Sequence, residues 1–362
     1  MKKLSLMISI AISISVFMGT YVFAFAQDDF VDMNAIFTDP GVLQIVNDNL
    51  EELEGKGFTK ERLSYMTVDE ITNILNSETT FEGETESLNL VVGYVLQNND
   101  DLMNTKTLNN TESSQVIAMI PITKSEYFLY EQNRNGFIQR NYPDLNSLKS
   151  KSNVSLYLFD AETESMELMS EEEKNNILRG PSVTQTIDSG VITLTTSYYK
   201  TTHTTKSIIT LGLDWRWQYP NMPYWNLTDG VGLAHTGALA GLTNLEDVGG
   251  THTYTTKLNP TSSDWITETL YPAVSVHGIS TKYNQRFCHD TKGRIFVTIS
   301  NLKTAVTQGY FYSVGGYAHQ TLSIGSFGIG IAAGKVSFTP NFPTTNIIEV
   351  SPQPILNNIP TK

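Results

Sequence analysis

Cysteine, histidine and tryptophan, three residue types that often carry catalysis or recognition, all lie in the second half of this chain. Cys288, His289 and Asp290 are adjacent and offer a thiol, an imidazole and a carboxylate. Successive side chains of a strand point to opposite faces, so His289 cannot act as the base for Cys288. The six histidines lack the spacings of metal-binding motifs. We therefore expect neither a local nucleophilic site nor a metal site, and only residues from distant strands could form one.

The stretch LGLDWRWQYPNMPYWNLTDGVGLAH, residues 211–235, contains three of the four tryptophans. The odd positions from 209 to 217 are apolar, whereas the even positions from 210 to 218 are polar or glycine. A period of two is typical of a strand with one buried face. We therefore expect Trp215 and Trp217 to lie in the core beside the aliphatic residues of the same strand.

The alternation stops after Gln218, where YPNMPYWNLTD follows with two prolines. Proline cannot donate a ladder hydrogen bond, so this segment predicts a surface loop. Loop aromatics give a large contact area at low entropic cost and often stack on sugars or contact proteins. The candidate ligand-binding residues are therefore Tyr219, Tyr224 and Trp225. The alternative is that Trp225 folds back and closes the end of the β domain.

Sequence motifs of common enzymes are absent, since neither a Gly-x-Ser-x-Gly elbow nor a phosphate-binding loop occurs in the chain. We expect a non-enzymatic binding protein that needs no cofactor and no metal. Its expected partner is a cell-envelope glycan or an extracellular protein. The alternative enzyme is a secreted hydrolase whose site is assembled from scattered acids.

Two stretches predict a different alternative, a β-pore-forming or membrane-active protein. VITLTTSYYKTTHTTKSIITLGL and LSIGSFGIGIAAGKVSF alternate apolar with small or polar residues. The hairpins that β-pore-forming toxins insert into membranes are similar to these stretches. Half-exposed strands of a β-sandwich show the same alternation, and we favour the sandwich. Membrane contact is expected only if the pore-forming alternative holds.

The N-terminus has the features of a bacterial secretory signal peptide. Lys2 and Lys3 precede an apolar run from Leu4 to Met18, and Ala24-Phe25-Ala26 offers a small-x-small cleavage pattern. We expect cleavage after Ala26 and an extracellular protein, with an uncleaved membrane anchor as the alternative. Cys288 is the sole cysteine, so no intramolecular disulfide can form.

Charge divides the chain into two parts. Residues 27–180 contain 28 acidic and 11 basic side chains, a net charge of −17, whereas residues 181–362 contain 9 and 11, a net charge of +2. An acidic surface repels phosphate, so we expect no nucleic-acid partner.

The expected fold is mainly β with an N-terminal α segment. We predict a signal peptide at 1–26, a helical unit at 27–80, an acidic α+β segment at 81–180, an antiparallel β-sandwich at 181–345 and a flexible tail at 346–362. Within these segments we expect three short helices over 39–76, a polar linker at NSETTFEGETESLN, a hairpin turning at Asn135-Gly136, and a hairpin turn at Thr291-Lys292-Gly293.

The motif Trp215-x-Trp217, with the proline-bearing loop and LTDGVGLA that follow it, resembles groups of uncharacterised secreted proteins of Gram-positive bacteria. An acidic helical segment behind a signal peptide and a C-terminal β-rich domain complete the resemblance. It covers mainly residues 205–240 and implies no activity and no catalytic residue.

Overall fold

The computed structural model describes residues 36–96, 114–151, 153–160, 165–179, 184–218, 228–257, 261–284, 288, 290–320, 327–340, 347–350 and 353–360. The predicted signal peptide lies outside them. In these ranges the protein is mainly β, its strands pair antiparallel, and its longer helices all precede residue 180. None of the helices described is long and apolar enough to cross a membrane.

Four short helices, one more than predicted, open the described chain. They are α1 (Pro40–Asp48), α2 (Leu50–Gly55), α3 (Lys60–Leu63) and α4 (Val68–Leu75). Asp39, Thr59 and Thr67 cap three of them, and Thr67 forms a capping box with Glu70. The extra helix arises because Asn49 interrupts the predicted first helix without ending its apolar face.

The polar linker predicted after these helices is wrong, because it forms most of strand β1 (Thr79–Leu96). Its polarity has another cause. Glu82 pairs with Lys200, Glu84 with Arg62, and Glu86 with Lys124. The acidic residues therefore belong to a strand whose side chains have basic partners on neighbouring elements.

The hairpin predicted at Asn135-Gly136 is also wrong, since helices α5 (Lys124–Gln132) and α6 (Arg134–Asn141) occupy this segment. The Asn133 side chain accepts a hydrogen bond of 2.9 Å from the Gly136 amide and so caps α6. Capping thus places the Asn-Gly pair in a helical first turn rather than in a strand turn. Helix α7 (Glu171–Arg179) begins after Ser170 as predicted.

Nine strands form the larger sheet, in the order β4-β3-β2-β1-β5-β6-β12-β8-β9. It runs without interruption from the acidic segment into the C-terminal half, because β1 pairs with β5 along almost its whole length. The strands added to β1 are β2 (Ser114–Pro121), β3 (Ser155–Asp160), β4 (Ser165–Leu168), β5 (Thr184–Thr201), β6 (Lys206–Gln218), β8 (Asn244–Thr255), β9 (Ile266–Thr269) and β12 (Asp290–Leu302).

The smaller sheet has the order β10-β11-β7-β13-β16, and β17 also pairs with β13. Its strands are β7 (Thr228–His235), β10 (Ala273–Ser275), β11 (Gly278–Asn284), β13 (Tyr310–Gln320), β16 (Ile347–Val350) and β17 (Ile355–Asn358). The last two strands lie in the segment predicted to be a flexible tail. That prediction is corrected here, because β13 offers both strands a hydrogen-bonding edge.

A separate hairpin of β14 (Phe327–Ala332) and β15 (Lys335–Pro340) covers part of the smaller sheet. Glycines at 232 and 316 make room for it. A Cβ atom on Gly232 would lie 2.8 Å from the Val336 side chain, and one on Gly316 would lie 2.9 Å from the same side chain. The hairpin can therefore pack closely on β7 and β13.

The larger sheet is buried on both faces. One face, the inner face, shares an apolar core with the smaller sheet, and Trp215 and Trp217 are fully buried in this core, as predicted. The other face is covered by α1–α4 over its central strands and by α5 and α6 over β1–β3. A strand with one apolar face is therefore buried on two sides.

The predicted turn at Thr291-Lys292-Gly293 is wrong, because the three residues lie in β12 and pair with Trp217, Arg216 and Trp215 of β6. Gly293 is a packing requirement at this position. The Trp215 ring occupies the space that a Cβ atom on residue 293 would need.

Candidate functional site

The candidate residues Tyr219, Tyr224 and Trp225 lie outside the described residues. The strands on either side, β6 and β7, are described, and they fix where this segment begins and ends. Gln218 pairs with Asp290, and Thr228 pairs with Asn284. The aromatic loop thus joins the larger sheet to the smaller sheet at the end where β11 also passes to β12.

A buried polar centre lies between the two sheets at this same end. His319 Nδ1 is 2.5 Å from Asp229 Oδ1, and Tyr317 donates its hydroxyl proton to Asp229 Oδ2. Trp217 Nε1 donates to the Tyr317 hydroxyl at 2.6 Å, and the Tyr283 hydroxyl lies 3.3 Å from Asp229 Oδ2. The side chains are enclosed by the core, so substrate has no access and the centre acts as a polar connection between sheets.

Cys288 lies near this centre and is buried. Burial, with a further contribution from Asp290 and Asp229, raises the pKa of its thiol to about 12. The reactive species is the thiolate, so this thiol is a poor nucleophile at neutral pH. His289, its neighbour in the sequence, lies outside the described residues.

Three of the histidines, His235, His252 and His319, are buried and hydrogen-bonded. Burial, with the nearby His277, lowers the pKa of His235 to about 4, so this imidazole is neutral at physiological pH. Over the described ranges, no three His, Cys, Asp or Glu side chains come together as metal ligands.

Charged side chains fill the opposite face of the larger sheet, beneath α1–α4. We call this the charged face, and its central member is Asp214 of β6. Arg294 donates to Asp214 at 2.7 Å and to Glu70 of α4 at 3.0 Å, and Arg62 of α3 donates to Asp214 and Glu84. Gly212 leaves room for this arrangement, because a Cβ there would lie 2.5 Å from the Arg294 guanidinium.

Lys292 of β12 extends the charged face. Its Nζ donates to Ile36 O at 2.7 Å and to Ser64 O at 2.9 Å, so it connects the sheet to two segments of the helical unit. Burial and the like charge of Arg216 lower its pKa to about 7. A cleft opens to solvent beside it between the helices and β8, but its donors are already used by the protein.

The outer face of the smaller sheet has exposed aromatic side chains. Tyr310 and Tyr312 point outward from β13, and Leu356 lies opposite Tyr312 on β17; all three are about half exposed. Phe311 between the tyrosines is buried and packs against His235, which fixes the strand. The two phenol rings are 6.3 Å apart and nearly perpendicular. We call Tyr310, Tyr312 and Leu356 the tyrosine surface.

The tyrosine surface is uncharged. Residues 306–320 and 353–360 contain no Asp, Glu, Lys or Arg. Sequence analysis missed this surface because Tyr-Phe-Tyr alternates aromatic residues without a polar residue to mark the outer face. It also missed Asp229 and His319, although Asp229, Val231, Leu233 and His235 alternate regularly with small residues in TDGVGLAH.

No protein-family model matches the chain, and no curated protein matches it either. Solved structures with partial likeness include the pilus backbone RrgB from Streptococcus pneumoniae, with 10% identity over 43% of this chain and 45% of that chain and a TM-score of 0.22. The Clostridium perfringens NetB toxin in its membrane-inserted form has 8% identity over 44% of this chain and 89% of that chain, with a TM-score of 0.20.

A third solved structure, described as manganese lipoxygenase of Gaeumannomyces graminis and partial zonadhesin of Komagataella pastoris, has 11% identity over 57% of this chain and 74% of that chain, with a TM-score of 0.20. The chain spans less than half the length of the pilus backbone. Likenesses at these TM-scores carry no argument about fold or function.

Proposed function

We propose that this is a secreted, non-enzymatic bacterial binding protein whose two-sheet part is an antiparallel β-sandwich. Its partner is a cell-envelope glycan or an extracellular protein. The observation that supports this function best is the tyrosine surface, where two half-exposed phenol rings lie on a rigid strand. Exposed aromatic side chains held by a buried neighbour bind at low conformational cost.

The absence of charge around the tyrosine surface favours an uncharged contact area on the partner. Phenol rings stack on the apolar faces of sugars, and their hydroxyl groups hydrogen-bond to polar edges. Both glycans and protein surfaces offer these groups. The enclosed Asp229 centre and the buried, weakly acidic Cys288 thiol favour binding over hydrolysis.

The aromatic loop with Tyr219, Tyr224 and Trp225 is proposed as a separate contact region. It joins the sheets at the end where Gln218 and Thr228 lie, whereas Tyr310 begins β13 at the opposite end of that strand from His319. The two regions can therefore be tested independently. Trp225→Ala tests the loop, and substitutions in β13 test the tyrosine surface.

The experiment measures binding of the protein to bacterial envelope preparations and to a glycan array. We expect Tyr310→Ala/Tyr312→Ala to weaken binding by about tenfold or more, since aromatic contacts dominate such interfaces. Phe128→Ala is the matched control, because Phe128 is an exposed aromatic residue on α5, away from this strand.

Unchanged binding by a folded double variant would remove the tyrosine surface from the proposal. Unchanged binding by Trp225→Ala would remove the loop. If the unmodified protein binds neither envelope material nor glycans nor extracellular proteins, the binding function itself is wrong. Array binding identifies a glycan partner, whereas protease-sensitive envelope binding identifies a protein.

The β14–β15 hairpin supports the pore-forming alternative, because its apolar side chains Ile329, Ile331, Val336 and Phe338 share one face and rest on the glycines of β7 and β13. Its strands have six residues each, fewer than the roughly 9–11 that span a bilayer. The other expected hairpin, β5–β6, lies at the centre of the larger sheet. Release of dye from liposomes, lost when Gly334 and Ser337 are locked to β7 by an engineered crosslink, would favour pore formation over binding.

A further inference from the structure

A free β-edge remains at one side of the molecule. In the described structure, β9 is the last strand of the larger sheet and β10 is the first strand of the smaller sheet. The two are consecutive in the chain, and Leu270 between them is anchored by burial and by a hydrogen bond of 2.8 Å from its amide to Gly250 O. The free edges of both sheets therefore meet along residues 266–276, which we call the lateral edge.

The lateral edge exposes apolar side chains to solvent. Ile266 is 52% exposed, Tyr271 87%, Val274 47% and Val276 62%. Two of them continue the inner core. Ile266 lies opposite Tyr254, which packs against that core, and Val274 lies opposite Ile279, which is fully buried in it. The space between the sheets thus ends at this side with apolar side chains that no described element covers.

The lateral edge also lacks the protection usual for exposed strands. Edges are commonly blocked by charged side chains, proline or a bulge. Residues 265–277 contain a single charged side chain, Glu268, and Pro272 lies between the two strands rather than in either of them. At the far edge of the larger sheet, β4 lies in a segment with six glutamates between residues 162 and 173. The two edges therefore differ in chemistry.

We propose that the lateral edge binds an extended, uncharged segment of a partner protein, which adds as a strand beside β9 and β10. The main chain of the segment pairs with the free backbone groups of these strands, and its alternate apolar side chains cover Ile266 and Val274. This interaction surface is separate from the tyrosine surface and does not depend on it.

A second copy of this chain is the other protein that could supply such a strand. Residues 27–180 have a net charge of −17, and like charges on two copies repel each other when the copies approach. The same charge favours a neutral or basic partner. The proposal therefore commits to a different protein as the occupant.

The test uses a synthetic peptide of about ten residues, long enough to follow both strands, with alternating valine and threonine and a lysine at each end. Saturable binding to the protein is expected by calorimetry. Hydrogen exchange should show slower exchange of the amides of residues 266–275 in the complex. A peptide of identical sequence with N-methylated alternate amides is the control, and it should bind at least about tenfold more weakly, because strand addition depends on main-chain hydrogen bonds.

Ile266→Lys/Val274→Lys should abolish peptide binding while leaving the melting temperature nearly unchanged, because both side chains are about half exposed. Tyr310→Ala/Tyr312→Ala should bind the peptide normally, which separates this proposal from the proposed function. Equal binding of the two peptides, no binding at millimolar peptide, or unaltered binding by the lysine variant would overturn the proposal. A concentration-dependent dimer that the lysine variant abolishes would identify a second copy as the occupant and would also overturn it.

Discussion

The inner face and the charged face of β6 are both buried, yet they are stabilised by different chemistry. Trp215, Trp217 and their aliphatic neighbours fill the inner face, whereas Asp214 on the charged face is held by Arg62 and Arg294. Apolar burial is non-directional and tolerates substitutions that keep the volume. A buried ion network requires each partner in place, because an isolated charge is costly to bury. The charged face therefore specifies how the helical unit docks, and the inner face supplies most of the stability.

The largest expected effect is on the inner face. Trp217→Ala removes a fully buried indole and the donor to the Tyr317 hydroxyl, and we expect the free energy of unfolding to fall by about 3–5 kcal/mol. Urea denaturation measures the change. Tyr271→Ala is the control, since exposed substitutions usually stay within about 0.5 kcal/mol. A loss below that value for Trp217→Ala would show that this face contributes little.

The charged face should respond differently to single and paired substitutions. Arg294→Met leaves Glu70 buried without its strongest partner, and we expect a loss of about 3 kcal/mol. Glu70→Leu/Arg294→Met removes both charges and should recover most of that loss, while Asp214 keeps Arg62. Urea denaturation of the two variants gives the coupling energy. If the double variant is less stable than Arg294→Met, the pair is a net stabilising element.

Glycines on the two faces offer a smaller test. Gly212→Ala would place a Cβ against the Arg294 guanidinium, and Gly293→Ala would place one against the Trp215 ring. We expect losses of about 1–3 kcal/mol from overpacking, larger at Gly293 because an indole in a packed core moves less than a guanidinium. Gly309→Ala is the control, because nothing lies near the added methyl group. Thermal unfolding measures all three, and equal melting temperatures would mean that both faces relax freely.

The smallest expected effect is a pH dependence of the charged face. The pKa of Lys292 falls from 10.5 to about 7 in the folded protein, so the unfolded chain binds more protons between these values. The free energy of unfolding should therefore rise as pH increases from 7 towards 10, and Lys292→Met should lack this rise. Chemical denaturation at several pH values measures it. A slope that persists unchanged in the variant would assign the effect to other groups.

Several elements were predictable because their signals are local. The Ser170 and Thr67 caps lie within one helical turn of the residues that they bind, and the alternation around Trp215 depends only on strand geometry. The helices at 124–141 were mispredicted as a hairpin, because Asn135-Gly136 is a turn signal whereas the competing Asn133 and Thr123 caps are individually weak. The candidate loop residues stay a prediction, and the tyrosine surface was found only once β13 and β17 were seen to pair.

The sequence by itself determined the mainly β character, the N-terminal helices and the burial of Trp215 and Trp217, since caps and period-two patterns act over a few residues. Tertiary structure decided what covers the even-numbered side of β6. Asp214, Arg216 and Gly212 have the polarity expected of a solvated face, yet Asp214 meets Arg62 from 152 residues away. Only the folded chain brings such distant charges together, because partner choice in an ion network depends on spatial proximity and not on the residue pattern of any one strand.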